Sequence, residues 1–177
     1  INSLKDWEGK TFGYKISLPS DYVAMMETEG VIRKNIQEVS VGFDPRILTE
    51  GKVDILAVFK SNEPDTIRSL GFEIKVWDPY DFGVPTLGLT YITTQGYADT
   101  NPDTVRRFLK ATLKGIQFAI DNPDSAIDIV LQFAPESSAE HQSFMLRTEI
   151  KDARSDYTDT NGVGTMSDSQ WKSLYDN

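Results

Sequence analysis

Cysteine is missing from the sequence and histidine occurs once. The first absence removes disulfides and thiol chemistry, yet leaves the compartment open, because exported proteins can do without bridges. The second leaves His141 with no neighbour at metal-ligand spacing, so no metal set is expected and the residue reads as a solvent-exposed member of a polar helix start. Apolar runs near the ~20 residues needed to span a bilayer are lacking, as is a basic-then-apolar segment that reads as a signal peptide. The chain therefore reads as soluble. Basic charge is also scarce: 18 Lys and Arg stand against 27 Asp and Glu, a net −9. That sign is wrong for a surface that replaces counterions around nucleic-acid phosphates. No strand leads into a glycine-rich phosphate loop, and no Gly-x-Ser-x-Gly nucleophile turn occurs. Acidic pairs such as Asp78 and Asp81 have no partner in the sequence that raises a pKa, so catalytic residues and cofactors are not expected.

What remains is a globular composition, 39% hydrophobic and 11% aromatic in 177 residues, enough to bury a core as one domain or two small lobes. The organising stretch is Trp77 to Thr94. Pro79, Gly83 and Pro85 punctuate it, and residues that fix or free the backbone in this way suit a sharp change of direction. Short strand-like runs alternate with helix-like runs before it; after it come one predicted strand, Leu87 to Thr93, and then helices.

In the first half, Leu4 to Gly9 is a polar entry with one aromatic, and Thr11 to Ile16 is a predicted strand. Ser20 is a plausible N-cap for a helix with Val23 and Met26 inward and Gly30 as its stop. Ser17 to Ser20 also form a strand-to-helix loop with free backbone N–H groups, where polar ligand atoms are readily held. Gln37 to Gly42 is the next strand and Pro45 to Glu50 a short helix. Val53 to Phe59 has the unbroken apolar character of a parallel-sheet strand and runs into Asn62 and Glu63. Ligands of open α/β sheets sit beyond the carboxyl ends of strands, which places these two side chains where a binding group belongs. Capping the helix that starts near Pro64 fits them slightly better on residue chemistry alone. Phe72 to Trp77 alternates like a strand with one wet face.

In the second half, Asn101-Pro102-Asp103 opens a helix whose apolar positions, Val105, Phe108, Leu109, Leu113, Ile116, Ala119 and Ile120, recur at three and four. Asn122-Pro123-Asp124 opens another, with Ala126, Ile129, Val130 and Phe133 expected inward. A third spans roughly Ser138 to Ala153, Ser155 to Gly164 reads as loose and polar, and Ser167 caps a last helix.

Several segments taken together, DWEGKTFGY, VGFD, GKVDILAVFKSNEP, DPYDFGVP, the long run from Asn101 to Ile129 and NGVGTMSDSQW, resemble the NMT1/THI5-like substrate-binding proteins of ABC importers in order and spacing. The resemblance implies an α/β, type II periplasmic-binding-protein fold of two lobes joined by a hinge. Residues 1–78 correspond to lobe two, 79–86 to the hinge crossover and 87–177 to the C-terminal part of lobe one. The chain departs from the family in opening directly at lobe two, so the N-terminal part of lobe one and its ligand groups are expected to be missing.

By the family pattern, Ser17, Ser20, Asp21, Tyr22, Asn62, Glu63, Tyr80 and Asp81 face a ligand, which lifts Asn62 and Glu63 above a capping role. The resemblance further implies a monomer that captures a small planar heterocycle, first a thiamine pyrimidine precursor, and delivers it to a membrane permease. The location implied is periplasmic or extracellular, lipid-anchored or free. Riboflavin, alkanesulfonate or taurine binding, and a ligand-sensing role, are the alternatives. Pyrimidine synthases share the fold but depend on a cysteine-rich motif that is absent here. A metal is not implied.

Overall fold

The computed structural model describes all residues except Leu87, Leu89 and Asn177. The chain divides into two compact units, residues 1–86 with 173–177 and residues 87–172.

The first unit is built on a parallel three-stranded sheet of order β2-β1-β3. β1 is Thr11–Tyr14, α1 is Ser20–Thr28, β2 is Gln37–Ser40, α2 is Arg46–Thr49, β3 is Ile55–Leu56 and α3 is Glu63–Ser69. Phe12 stands opposite Glu38 on one side and Ile55 on the other, and Gly13 opposite Val39 and Leu56. Three parallel strands in one sheet need crossovers, and α1 and α2 supply them. All three strands therefore point their carboxyl ends to the same edge.

The α/β character and parallel pairing agree with the sequence, while several boundaries differ. β1 stops at Tyr14, because Ile16 adopts a positive φ of 60° and leaves the strand path. Ser20 is the first helical residue, not the cap; the extended Pro19 precedes it, and no side chain caps the helix. Gly30, at φ 63°, sits just past the end of α1, as a stop should. The Val53 to Phe59 run contributes a strand of only two residues, although Asp54 N–H to Thr11 and Ala57 N–H to Gly13 extend the pairing on either side. Phe72 to Trp77 joins no ladder: Ile74 and Val76 are half-buried, as the alternation demands, but no strand edge pairs with them.

The polar entry holds two of the most buried side chains in the molecule, Leu4 and Trp7, on a 3-10 turn over Leu4–Trp7. They join Phe12, Tyr22, Met25, Met26, Val31, Ile36 and Val84 in one core. Each large apolar side chain taken fully out of water is worth about 1.5–3 kcal/mol, so this cluster dominates the unit's stability. Phe12 and Tyr22 stack at 3.7 Å between ring centroids, with Trp7 stacked on both. The stretch after Trp77 begins with a 3-10 turn, Pro79–Phe82, capped by the Asp78 side chain and closed by Gly83 at φ 74°. Val84 then returns to the core.

In the second unit, α4 is Gln95–Thr100, α5 Pro102–Asp121, α6 Pro123–Phe133, α7 Ala139–Ala153 and α8 Asp156–Asn161; α9, Asp168–Asp176, follows and runs across the boundary between the units. Among the described residues of 88–93 there is no strand, and Leu87 and Leu89 of the predicted one lie outside them. The stretch read as loose contains α8, set by a reciprocal cap between Ser155 and Thr158. Asn101 and Asn122 occupy the cap positions of α5 and α6, but their side chains do not accept; each Nδ2 donates to the carbonyl four residues back, Tyr97 and Phe118. On α6 the inward residue is Ile127. Ile129, Val130 and Phe133 are exposed, Phe133 at 85%. His141 is half-buried, with its backbone N–H on the Ser138 cap. Among the described residues, no helix is long and apolar enough to cross a membrane.

Candidate functional site at the carboxyl rim of the sheet

The carboxyl ends of β1, β2 and β3 carry an apolar rim that the packing of the unit does not use. Ile16 follows β1 and is 86% exposed; Phe43 follows β2 and is 65% exposed; Phe59 follows β3 and is 62% exposed. Large side chains left in water at one edge of a parallel sheet are where open α/β folds hold ligands.

Beneath the two rings lies a buried ion pair. Lys15 and Glu63 are in contact, their side chains only 8% and 7% exposed. The ammonium sits 5.9 Å from the ring centroid of Phe43 and 5.9 Å from that of Phe59, within cation–π range of both. The other Glu63 oxygen accepts the Phe59 N–H at 2.8 Å. One carboxylate thus fixes both the cation and the loop that bears a ring. Such a pair is poor ground for stability, since desolvation offsets most of its attraction, but it holds its members in one geometry.

The turn that delivers Lys15 is strained. Ser17 N–H donates to the Lys15 carbonyl at 2.6 Å, a three-residue turn centred on Ile16 at positive φ. This is the rare, strained hand of the γ-turn, and a β-branched residue is poorly suited to it.

A concavity of about 730 Å3 starts at this rim and follows the free edge of β3. Lys15, Phe59, Asp54 to Val58, the Phe72 to Trp77 segment and Trp7, Phe12 and Tyr22 line it. Its size lies in the range of small-molecule pockets. Two buried polar atoms among its walls, Trp7 Nε1 and Tyr22 Oη, have no hydrogen-bond partner among the described residues. Burial, and then the nearby Glu38 charge, push the Tyr22 phenol well above its ordinary range, so it stays neutral.

Of the eight residues expected at a ligand, Ser17, Asp21 and Tyr22 line this concavity and Ser20, Asn62, Glu63, Tyr80 and Asp81 do not. Ser17 and Ser20 are exposed, and the Asp21 carboxylate accepts its neighbour's N–H at 2.9 Å. Tyr22 is part of the aromatic core. Asn62 occupies the cap position of α3 without a side-chain cap bond, and Glu63 is its first residue. Tyr80 is 74% exposed and Asp81 exposed on the Pro79–Phe82 turn. Asp78, beside them, takes Lys60 Nζ at 2.7 Å and Tyr80 N–H at 3.1 Å, tying the loop after β3 to the Pro79–Phe82 turn. Burial alone raises the Asp78 carboxyl, but these two donors together hold it below its ordinary value.

Lys15, Ile16, Phe43 and Phe59 escaped the reading of the sequence. A usable signal was present: Phe43 and Phe59 are aromatic residues in the stretches that follow the second and third strands, each three residues past the strand's last residue.

The family model described as NMT1/THI5 like matches residues 1–126. The chain belongs to this family. It is similar to the riboflavin-binding protein RibY of Chloroflexus aurantiacus, 28% identical over 142 residues, which cover 77% of this chain and 40% of that protein. It is also similar to a formylaminopyrimidine-binding protein of Halalkalibacterium halodurans, 25% identical over 143 residues, covering 78% of this chain and 43% of that protein. The chain spans less than half the length of either relative. Both relatives are named as binding proteins. Among the described residues, no three acidic or histidine side chains gather where they would hold a metal ion.

Proposed function

We propose that this NMT1/THI5-like chain serves as the ligand-capturing part of an ABC importer's substrate-binding protein and takes a small planar heterocycle at the carboxyl rim of β1 to β3. The observation that carries this reading is the pair of exposed rings, Phe43 and Phe59, standing over a buried, fixed Lys15–Glu63 pair at that rim. Aromatic faces offered to solvent suit the stacking of a flat ring, and the remaining polar groups give it orientation. Ser17, Ser20, Asp21, Asn62, Glu63, Tyr80 and Asp81 are the polar and aromatic groups from which those contacts are drawn, with Tyr22 supporting them from the core.

A thiamine pyrimidine precursor is the first ligand on this reading. Riboflavin is the second, favoured by the relative named for it, and both carry a planar nitrogen heterocycle. The protein acts by binding without turnover and as a monomer. It works outside the cytoplasmic membrane, free or lipid-anchored, and hands its ligand to a permease. Residues 79–86 form the hinge on this reading, with 1–78 as lobe two and 87–177 contributing to lobe one, and a ligand that prefers one hinge state shifts the population toward it.

A thermal-shift panel with riboflavin, a formylaminopyrimidine, taurine and an alkanesulfonate tests this. A flat heterocycle at a hundred times its dissociation constant is expected to add about 2.7 kcal/mol of stability. A shift with taurine or the sulfonate alone would contradict the reading.

A further inference from the structure

Among the described residues, three cations near the carboxyl ends of the strands, Lys15, Arg46 and Lys60, are each matched by a carboxylate. Arg46 donates through its guanidinium to both oxygens of Asp44, and Lys60 pairs with Asp78. Hydrogen bonds from the Arg46 side chain, then from its backbone, hold the Asp44 carboxyl down at about 2, so that pair stays charged on both sides at neutral pH. Lys15 is the buried member of the three. Its ammonium lies under both exposed rings and in contact with Glu63, and the Ile16 turn fixes its backbone at the rim.

An anion needs an ammonium or guanidinium whose charge is not already cancelled. At this rim it would have to draw Lys15 away from Glu63, leaving a buried carboxylate unpaired next to the arriving negative charge. Both consequences oppose binding. An uncharged ring meets no such opposition, because Phe43 and Phe59 present their faces over a floor of zero net charge.

Building on the ring-binding reading above, we propose that Lys15, neutralised by Glu63 beneath Phe43 and Phe59, is the specificity-determining residue of the rim. It makes the rim select an uncharged planar ring over an anionic ring of the same shape. Lys15 and Glu63 then act together: the sum of their charges, more than either contact alone, sets the preference.

The test uses two pairs of a neutral and an anionic compound, 4-amino-2-methylpyrimidine-5-carboxamide with its isosteric 5-carboxylate, and riboflavin with its bulkier 5′-phosphate, titrated calorimetrically into the full chain at low salt. The wild type is expected to bind the neutral member at least about tenfold more tightly. Glu63→Gln, which uncovers the ammonium, is expected to shrink that ratio severalfold or invert it. Lys15→Met, which uncovers the carboxylate, is expected to enlarge it. The double variant, again without net charge, is expected to return to the wild-type ratio. Each variant is read as a ratio of two affinities, so a loss of folded protein, which lowers both alike, cancels.

Equal or tighter binding of the anionic members by the wild type overturns the proposal, as does a ratio that ignores the charge through the series. If the rings bind and lose affinity on Phe59→Ala while the ratio stays flat, only the selectivity falls. If neither pair binds, the ring-binding reading falls and the selectivity with it.

Discussion

Ile16 combines two features that rarely meet in one residue: a β-branched side chain on a positive-φ backbone, and 86% exposure. The strain costs on the order of 1–3 kcal/mol, and nothing buried is gained by it. Glycine adopts this backbone freely at an entropic cost of roughly 0.5–1 kcal/mol. Ile16→Gly is therefore expected to stabilise the chain by about 1 kcal/mol in urea denaturation while weakening ligand affinity; a loss of stability would show that the side chain supports the fold. The same residue shows where sequence reading ends. Lys15 and Ile16 look like the tail of a strand in TFGYKI, because alternation and β propensity say nothing of where the path turns. Glu63 was legible as a polar group at the right edge of the sheet. Its partner was not, since Lys15 and Glu63 are 48 positions apart and only the parallel pairing of β1 with β3 brings them together.

The central strand sets the tolerance of the sheet. A methyl group on Gly13 would come within 3.1 Å of Val53 Cγ1 and 3.3 Å of both Leu56 Cδ1 and Val41 Cγ1. These are side chains of the neighbouring strand regions, and each has to give way by tenths of an ångström. Gly13→Ala is expected to cost roughly 1–3 kcal/mol as overpacking, measured as a fall in the denaturation midpoint. An unchanged midpoint would mean that the strands yield freely.

At this scale the sequence served well where one segment determines its own state. The 3-4 spacing in α5, with Pro102 at its start, and the Gly30 stop after α1 both appear in the structure. It served poorly where the outcome depends on a partner. Phe72 to Trp77 has the alternation of a strand and no edge to pair with, and α6, only 11 residues long, offers two apolar stripes of which the Ile127 one is buried. Caps formed by side chains, as at Ser155, were overlooked in α8 because the stretch is polar throughout.

The two units of the molecule differ in how much they bury. Residues 1–86 contain the aromatic core, whereas among the described residues of 87–172 only Ile127 is a buried apolar side chain. Phe108, Leu109, Leu113 and Phe118 leave much of the apolar face of α5 in water. Local opening is easier where few apolar contacts are lost. Amides of α5 and α7 are accordingly expected to exchange hydrogen roughly tenfold or more faster than those of Phe12 to Tyr14, by exchange mass spectrometry. Uniform protection across both units would contradict this division of stability.

On the proposed reading, function rests on residues 1–86, whose carboxyl rim offers Phe43 and Phe59 to a flat ligand. The most direct measurement is a calorimetric titration of riboflavin and of a formylaminopyrimidine into the wild-type chain and into Phe59→Ala. Binding of one of these rings to the wild type is expected, with affinity falling about tenfold or more when the stacking face is removed, since base-like rings gain roughly 1–3 kcal/mol from such a face. Equal affinity of the two chains for a ring that binds would place the ligand elsewhere and contradict the rim as the binding site.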